Sequence, residues 1–358
     1  MPVRPLPRPA PRTVFVTGAN GYIGSAVCRS FARAGYRVYG MIRRASSAPS
    51  LWRVEATPVQ GSFDDASWVD TLISTASTFD VLVNCVESFP DYEAHYEKVI
   101  MVMLRLARAS NDKGVRPLLL WTSGCKDYGL GSVRADGSVP LHTEETVEDP
   151  PTEAIRQRAQ TSRRIYEHAD VLDGVLLRPT SVYGYSSSYY ATLMDYADDQ
   201  RGSGAHVLPL PVDPETPMHA LHVDDCAEAY VALAEHGDRS AVADQTFNIS
   251  SYRYETAREI GEALAKGYGF RDGVVFPPVD EAGDQFPASV AFTFGFPQWV
   301  ASEKIRNLTG WRDRRALFTE DIDTYRRSYE AEKARGHENI DLARDRLAKI
   351  GTMEVGRE

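Results

Sequence analysis

The chain has 358 residues, 43% of them hydrophobic, enough for one large domain or two closely packed lobes whose core needs no covalent staples. A formal net charge of -10 argues against a nucleic-acid footprint or a polybasic membrane contact, leaving a small-molecule substrate and, as a homodimer, a second copy of the chain as the expected partners. Cys28, Cys85, Cys125 and Cys226 form no CxxC pair, no secretory signal is evident and no apolar run reaches the ~18 residues of a membrane span, so the expected setting is the reducing cytoplasm.

Residues 1–12, MPVRPLPRPAPR, alternate proline with arginine and offer nothing to bury, which predicts a disordered leader. Order begins with TVFVTG, Thr13 to Gly18, a β-branched and aromatic strand, followed by a helical pattern from Tyr22 to Ala34 and a strand over YRVYGMI, Tyr36 to Ile42. The alternation continues through a short strand at TPVQG, a helix from Ala66 to Thr75, a strand at DVLVNCV, a helix from Tyr92 to Ser110 and a strand at RPLLLWTSG. Strands that read as continuous apolar runs between helices predict an α/β fold with a doubly wound parallel sheet over residues 13–184.

GVLLRPTSVYG, Gly174 to Gly184, predicts one more strand running into a loop, and proline and glycine become dense from Gly202 to Pro217. MHALHVDDCAEAYVALAEH reads as a strand, a helix cap at Asp224 or Asp225 and a helix; QTFNIS is a strand, and TAREIGEALAKGYG a helix closed by glycine. Residues 185–320 are expected to form a smaller substrate lobe over the carboxyl ends of the strands, with some elements returning to the sheet, and residues 321–358 a charged helical surface tail.

TGANGYIG places Gly18, Gly21 and Gly24 between a strand and a helix. Gly18 permits the tight turn, Gly21 lets backbone approach a pyrophosphate and Gly24 lets helix pack on strand, while Tyr22 and Ile23 open the helix whose N-terminus supplies donors and positive potential. This is a Rossmann-type dinucleotide turn. With WTSGCKDYG, RPTSVYG, HALHVDDCAEA and FNIS, the chain resembles the extended short-chain dehydrogenase/reductases, the NAD(P)-dependent epimerase/dehydratase group, from about Thr13 to Gly310. The resemblance implies that Ser62 and Phe63 lie near the adenine, Cys85 and Val86 beneath the cofactor, and Pro179 and Ser181 near the nicotinamide.

At the end of the second strand, where an NAD-preferring enzyme carries an acid for the ribose hydroxyls, this chain has Ile42, Arg43 and Arg44. An arginine there can pair with a 2′-phosphate, so NADP(H) is expected over NAD(H).

The resemblance also implies a Ser or Thr after the fourth main strand and a Tyr-x-x-x-Lys on the next long helix, four residues apart so that lysine shares the tyrosine's face and lowers its pKa. Neither is in place. The one Tyr-x-x-x-Lys match, Tyr329 and Lys333, lies in the charged tail, and between Cys125 and Tyr166 the only tyrosine and lysine are Tyr128 and Lys126. Counting back from Arg178 by the family interval reaches Arg156 and Gln160, and the usual hydroxyl position falls at Gly124, with Ser123 and Thr122 before it. Arginine stays protonated and serves as a fixed electrophile, while Gln160 could hold a ribose hydroxyl.

The expected function is therefore an atypical NADP(H)-dependent oxidoreductase or epimerase of a small organic carbonyl or alcohol, with Arg156 and Ser123 polarising the oxygen and Tyr128, Tyr183, His142 or water giving the proton. Two alternatives stay open: a redox-neutral isomerase, cyclase or lyase on the same fold, and a non-catalytic NADPH sensor. His219, His222, Asp224 and Asp225 read as a strand and helix cap rather than a metal site, so no metal is expected. Tyrosines from Tyr183 to Tyr190 are candidates for a pocket wall, Glu87 and Asp127 read as solvated loop acids, and Cys125 as a small buried residue.

Overall fold

The computed structural model describes residues 11–88, 91–186, 189–278 and 286–351, with side chains to residue 345. Seven parallel strands form the central sheet: β1 (Thr13–Thr17), β2 (Arg37–Ile42), β3 (Thr57–Gln60), β4 (Val81–Asn84), β5 (Leu118–Thr122), β6 (Asp173–Pro179) and β7 (Gln245–Ile249). Their spatial order is β7-β6-β5-β4-β1-β2-β3, so the winding reverses between β1 and β4. That switch point lies at the end of β1, where the glycine turn begins.

Side-chain alternation accounts for the two buried faces. Val14, Val16, Val81, Val83, Leu118, Leu120, Val175 and Leu177 pack on one side with helices α1 (Tyr22–Arg33) and, further along the chain, Val223–Ala234. Phe15, Leu82, Leu119, Trp121 and Leu176 face the other side, against α2 (Trp68–Ala76) and α3 (Tyr92–Asn111). The inner strands β1, β4, β5 and β6 are buried on both faces, which is why they read as continuous apolar runs, whereas the edge strand β3 is only half-buried.

The next helices are α4 (Glu153–Ser162), α5 (Tyr189–Gly202), α6 (Val223–Ala234), α7 (Ala257–Tyr268), α8 (Ala288–Phe294), α9 (Ile322–Ala334) and α10 (Glu338–Gly351). A second core gathers Tyr190, Leu193 and Met194 of α5, Ile260 and Leu264 of α7, Phe294 of α8, and Ile322, Tyr325, Tyr329 and Ile340 of the last two helices. The charged tail is thus amphipathic and seals the second lobe on its inner side.

Two local readings differ from expectation. Residues 1–10 of the leader lie outside the described residues, but Arg12 is held: its guanidinium reaches Glu235 at 3.1 Å and stacks on Tyr36 at 4.6 Å. The cap of α6 is His222, whose Nδ1 accepts the Asp224 backbone N–H at 3.1 Å, because the helix starts at Val223, before either aspartate. Asp224 and Asp225 sit in the first turn instead, paired with Arg29 and Arg315, where their charge suits the helix dipole. No helix among the described residues is long and apolar enough to cross a membrane.

Candidate functional site

The glycine turn is closed by backbone contacts that leave no room for side chains. Gly18 takes φ +62°, and a Cβ there would stand 2.9 Å from the carbonyl oxygen of Cys85 and from Cγ2 of Val86; a Cβ on Gly24 would stand 2.1 Å from the Gly18 carbonyl oxygen. Cys85 and Val86 therefore touch the turn directly. Gly21 is the cap residue of α1 in extended conformation with no side chain over it, so the first-turn N–H groups, those of Tyr22 and Ile23 among them, are left for an anion. Thr17 donates to Oδ1 of Asn84 at 2.7 Å, tying the ends of β1 and β4 beneath this cradle, and the Tyr22 hydroxyl donates to the Gly184 carbonyl at 2.6 Å, tying α1 to the loop after Ser181–Tyr183.

The remaining cofactor candidates fall at strand ends around the cradle. Ser62 and Phe63 follow β3; the Ser62 carbonyl accepts from the Trp68 indole at 3.0 Å, and Phe63 meets His95 edge to face at 6.1 Å. Pro179 ends β6, and Ser181 starts a short strand paired in parallel with Ala220–His222. Arg43 and Arg44 are both exposed after β2, and Arg44 approaches Glu338 of α10 at 3.4 Å. The cradle and strand ends fit a nicotinamide dinucleotide.

Beneath the ends of β5 and β6 lies a network of buried charge. Asp127 is fully buried, accepting from the Ser123 hydroxyl at 2.6 Å and from Nε and Nη2 of Arg158 at 2.9 and 2.6 Å, with Nε of Arg178 at 3.2 Å. Arg158 also donates to Glu87 at 2.9 Å, and Arg178 to Glu148. Burial opposes charge on Arg158, but the carboxylates of Asp127 and Glu87 outweigh it and raise its pKa, so the guanidinium stays protonated. Three of its five N–H groups are engaged in these bonds, leaving two donors. Gly124 lies against this guanidinium: a Cβ there would be 3.4 Å from Nη2 and 3.5 Å from Nη1.

Of the four catalytic candidates, Ser123 and Tyr128 belong to this network and Arg156 and Gln160 do not. The Tyr128 hydroxyl donates to Asn248 at 2.7 Å and its ring covers Arg178 at 4.7 Å; burial raises its pKa. Arg156 is exposed, 3.5 Å from Glu153, and Gln160 is exposed as well. The inward arginine is Arg158, two residues on. Ile155, Ala159 and Ser162 mark the buried stripe of α4, Arg158 lies on that stripe, and Arg156 and Gln160 each follow a buried residue by one position, about 100° round the helix.

Asp127 and Glu87, expected as solvated acids, are instead fully buried and largely covered. Cys125 donates its thiol to the Arg178 carbonyl, and burial pushes its pKa up, as expected of a packed cysteine. Tyr183 donates to Ala316 inside the second lobe, Tyr190 is buried there too, and residues 187–188 of the tyrosine cluster lie outside the described residues. His219 bridges the Ser251 carbonyl and the Val300 N–H, and among the described residues no three His, Cys, Asp or Glu converge as a metal site. Tyr329 and Lys333 both bind Asp195 of α5, within the second lobe and away from the glycine turn.

The model of the NAD dependent epimerase/dehydratase family matches residues 14–250, spanning the cradle, the buried network and β7. The chain belongs to that family. A UDP-glucose 4-epimerase of Rhizobium leguminosarum bv. trifolii is 26% identical over 57% of this chain and 60% of its own length, and an uncharacterized protein of Saccharomyces cerevisiae is 24% identical over 86% of this chain and 97% of its own. Among solved structures, dTDP-glucose 4,6-dehydratase of Bacillus anthracis with NAD superposes with a TM-score of 0.68 at 17% identity, covering 90% of this chain and 98% of that one. UDP-glucose 4-epimerase of Thermotoga maritima with UDP-glucose gives 0.65 at 19% identity, covering 90% and 99%. This epimerase/dehydratase family member is accordingly an enzyme of nicotinamide-dependent type, built on the same fold.

Proposed function

We propose that the chain is an NADP(H)-dependent oxidoreductase or epimerase of a small organic carbonyl or alcohol in which Arg158, rather than Arg156, polarises the substrate oxygen. The observation that carries this is the Gly124–Arg158 exchange. Where the family resemblance puts a hydroxyl, the chain has no side chain, and a protonated guanidinium with two spare donors borders that space. The cofactor, when bound, supplies or accepts the hydride. Arg158 would donate hydrogen bonds to the oxygen as its charge grows, held rigid by Asp127, while Ser123 positions Asp127 instead of touching substrate. Glu87, an ionised carboxylate paired with Arg158 just beyond β4, would serve as base for the alcohol proton in the oxidative direction, and water would supply the proton in reduction. Arg43 and Arg44 support the 2′-phosphorylated cofactor.

The test is deuteride transfer from 4-deuterated NADPH to a panel of small aldehydes and ketones, followed by Arg158→Lys and Arg156→Ala on the best substrate. Arg158→Lys keeps the charge but loses the fork, and should lower kcat by about a hundredfold or more, the scale of losing one oxyanion donor, with nucleotide affinity nearly unchanged. Arg156→Ala should stay within about twofold of wild type, since it sits at an exposed position. No deuterium in any product, or a larger loss at Arg156 than at Arg158, would overturn the assignment.

A further inference from the structure

The first residue of α10 reaches across the molecule to the glycine turn. Oε1 of Glu338 accepts from Nδ2 of Asn20 at 3.0 Å; Oε2 accepts from the Ser47 hydroxyl at 3.1 Å and lies 3.4 Å from Nη2 of Arg44. Asn20 is inside TGANGYIG, and Arg44 and Ser47 follow β2, so these three side chains come from the two segments that flank the adenosine ribose in a dinucleotide fold. They are donors converging on one anion. The protein itself provides that anion.

From this geometry we infer that Glu338 is a built-in occupant of the 2′-phosphate subsite, and that NADP(H) binds by displacing it; the inference rests on the NADP(H) reading above. A carboxylate and a phosphate monoester present the same chemistry to Asn20, Ser47 and Arg44, acceptor oxygens carrying negative charge, and both cannot hold the same donors. NADH carries a hydroxyl at that position and does not contest the charge.

The tail is placed to yield. Glu338 follows the turn at Gly336, φ +68°, and a cleft bordered by Tyr22, Arg53, Arg335, His337 and Asn339 separates this part of the tail from α1. Its anchors lie elsewhere: Tyr325 and Tyr329 are buried in the second lobe, and Arg344 binds Asp195 at 2.7 Å. Release of Glu338 therefore needs only the 335–338 stretch to swing about the turn at Gly336, while Ile340, buried in the second core, and α9 keep their places. Because the tail belongs to the second lobe and the donors to the first, the exchange links cofactor arrival to the seating of one lobe on the other.

Glu338→Gln in the full chain removes the charge and retains the shape. If the carboxylate holds the subsite in about nine molecules of ten, the variant should bind NADPH about tenfold more tightly by fluorescence titration, with NADH affinity unchanged. NADPH, and not NADH, should also speed tryptic cleavage after Arg335 in wild type, since the swung segment is exposed. Arg44→Ala should weaken NADPH and leave NADH alone.

NADPH selectivity that Arg44→Ala abolishes, with Glu338→Gln indistinguishable from wild type, would overturn this inference and leave the cofactor reading intact. Preference for NADH in wild type, weakened by Glu338→Gln, would make Glu338 the ribose acceptor that β2 lacks and would overturn both.

Discussion

Asp127 is the residue on which the candidate site turns. It is fully buried and gathers two guanidinium groups and a hydroxyl, so neutralising it leaves two buried positive charges with fewer partners than their burial demands. Asp127→Asn should cost about 3–5 kcal/mol of stability in urea unfolding, whereas Arg156→Ala, which removes a contact to exposed Glu153, should change it by less than ~0.5 kcal/mol. A loss below ~1 kcal/mol at Asp127 would mean that water reaches the network and that its field on the substrate is weak. Single residues were the least legible level of the sequence. The glycines declared themselves through spacing, but Asp127 looked like a loop acid because nothing local tells that Arg158 and Arg178, from a helix and a strand far along the chain, converge on it. Arg158 itself carried a readable signal in the stripe of Ile155, Ala159 and Ser162, which interval counting from Arg178 passed over.

The sheet strands and the helices packed on them in the first half were legible nearly to their ends, since strands buried on both faces and amphipathic helices each impose a period on the sequence, whereas α5 and α8 of the second lobe were not legible as helices. The exceptions have a common cause in tertiary packing. His222 is a poor cap by type, yet its ring is wedged against Tyr183, Tyr185 and Tyr325, which fixes Nδ1 over the start of α6. The tail reads as a charged surface because Ile322, Tyr325, Tyr329 and Ile340 are diluted among arginines and glutamates that pair with one another. Helix α7 is the counter-example, where local chemistry suffices: Thr256 accepts from the Glu259 N–H at 3.1 Å, Glu259 accepts from the Thr256 N–H at 2.7 Å, and Gly269 closes the helix at φ +73°. Thr256→Ala should remove about 1 kcal/mol, read as a lowered urea midpoint with an unchanged slope; a change in slope would show that α7 unfolds on its own.

At the scale of the whole molecule, the two lobes meet through buried neutral histidines, and this sets how the protein answers acid. His219 joins the segments around Ser251 and Val300, and His222 lies between the end of the sheet region and α9. Burial lowers both from an ordinary 6.5 to about 4, against the smaller opposite pull of the Ser251 carbonyl on His219 and of Asp224 on His222. The folded protein therefore keeps them neutral between about pH 6.5 and 4, while the unfolded chain takes up both protons. Stability is unaffected by these groups above about pH 6.5 and falls progressively as pH drops toward 4, by roughly 2 kcal/mol per histidine at about pH 5. His222→Asn isolates one of them, because an asparagine oxygen can still accept the Asp224 N–H and cap α6. In urea unfolding at about pH 7 and about pH 5, the variant should lose roughly 2 kcal/mol less than wild type on acidification. Equal losses would mean that His222 protonates in place with the α6–α9 contact intact, its charge accepted by Asp224 despite Arg29 and Arg315 beside it.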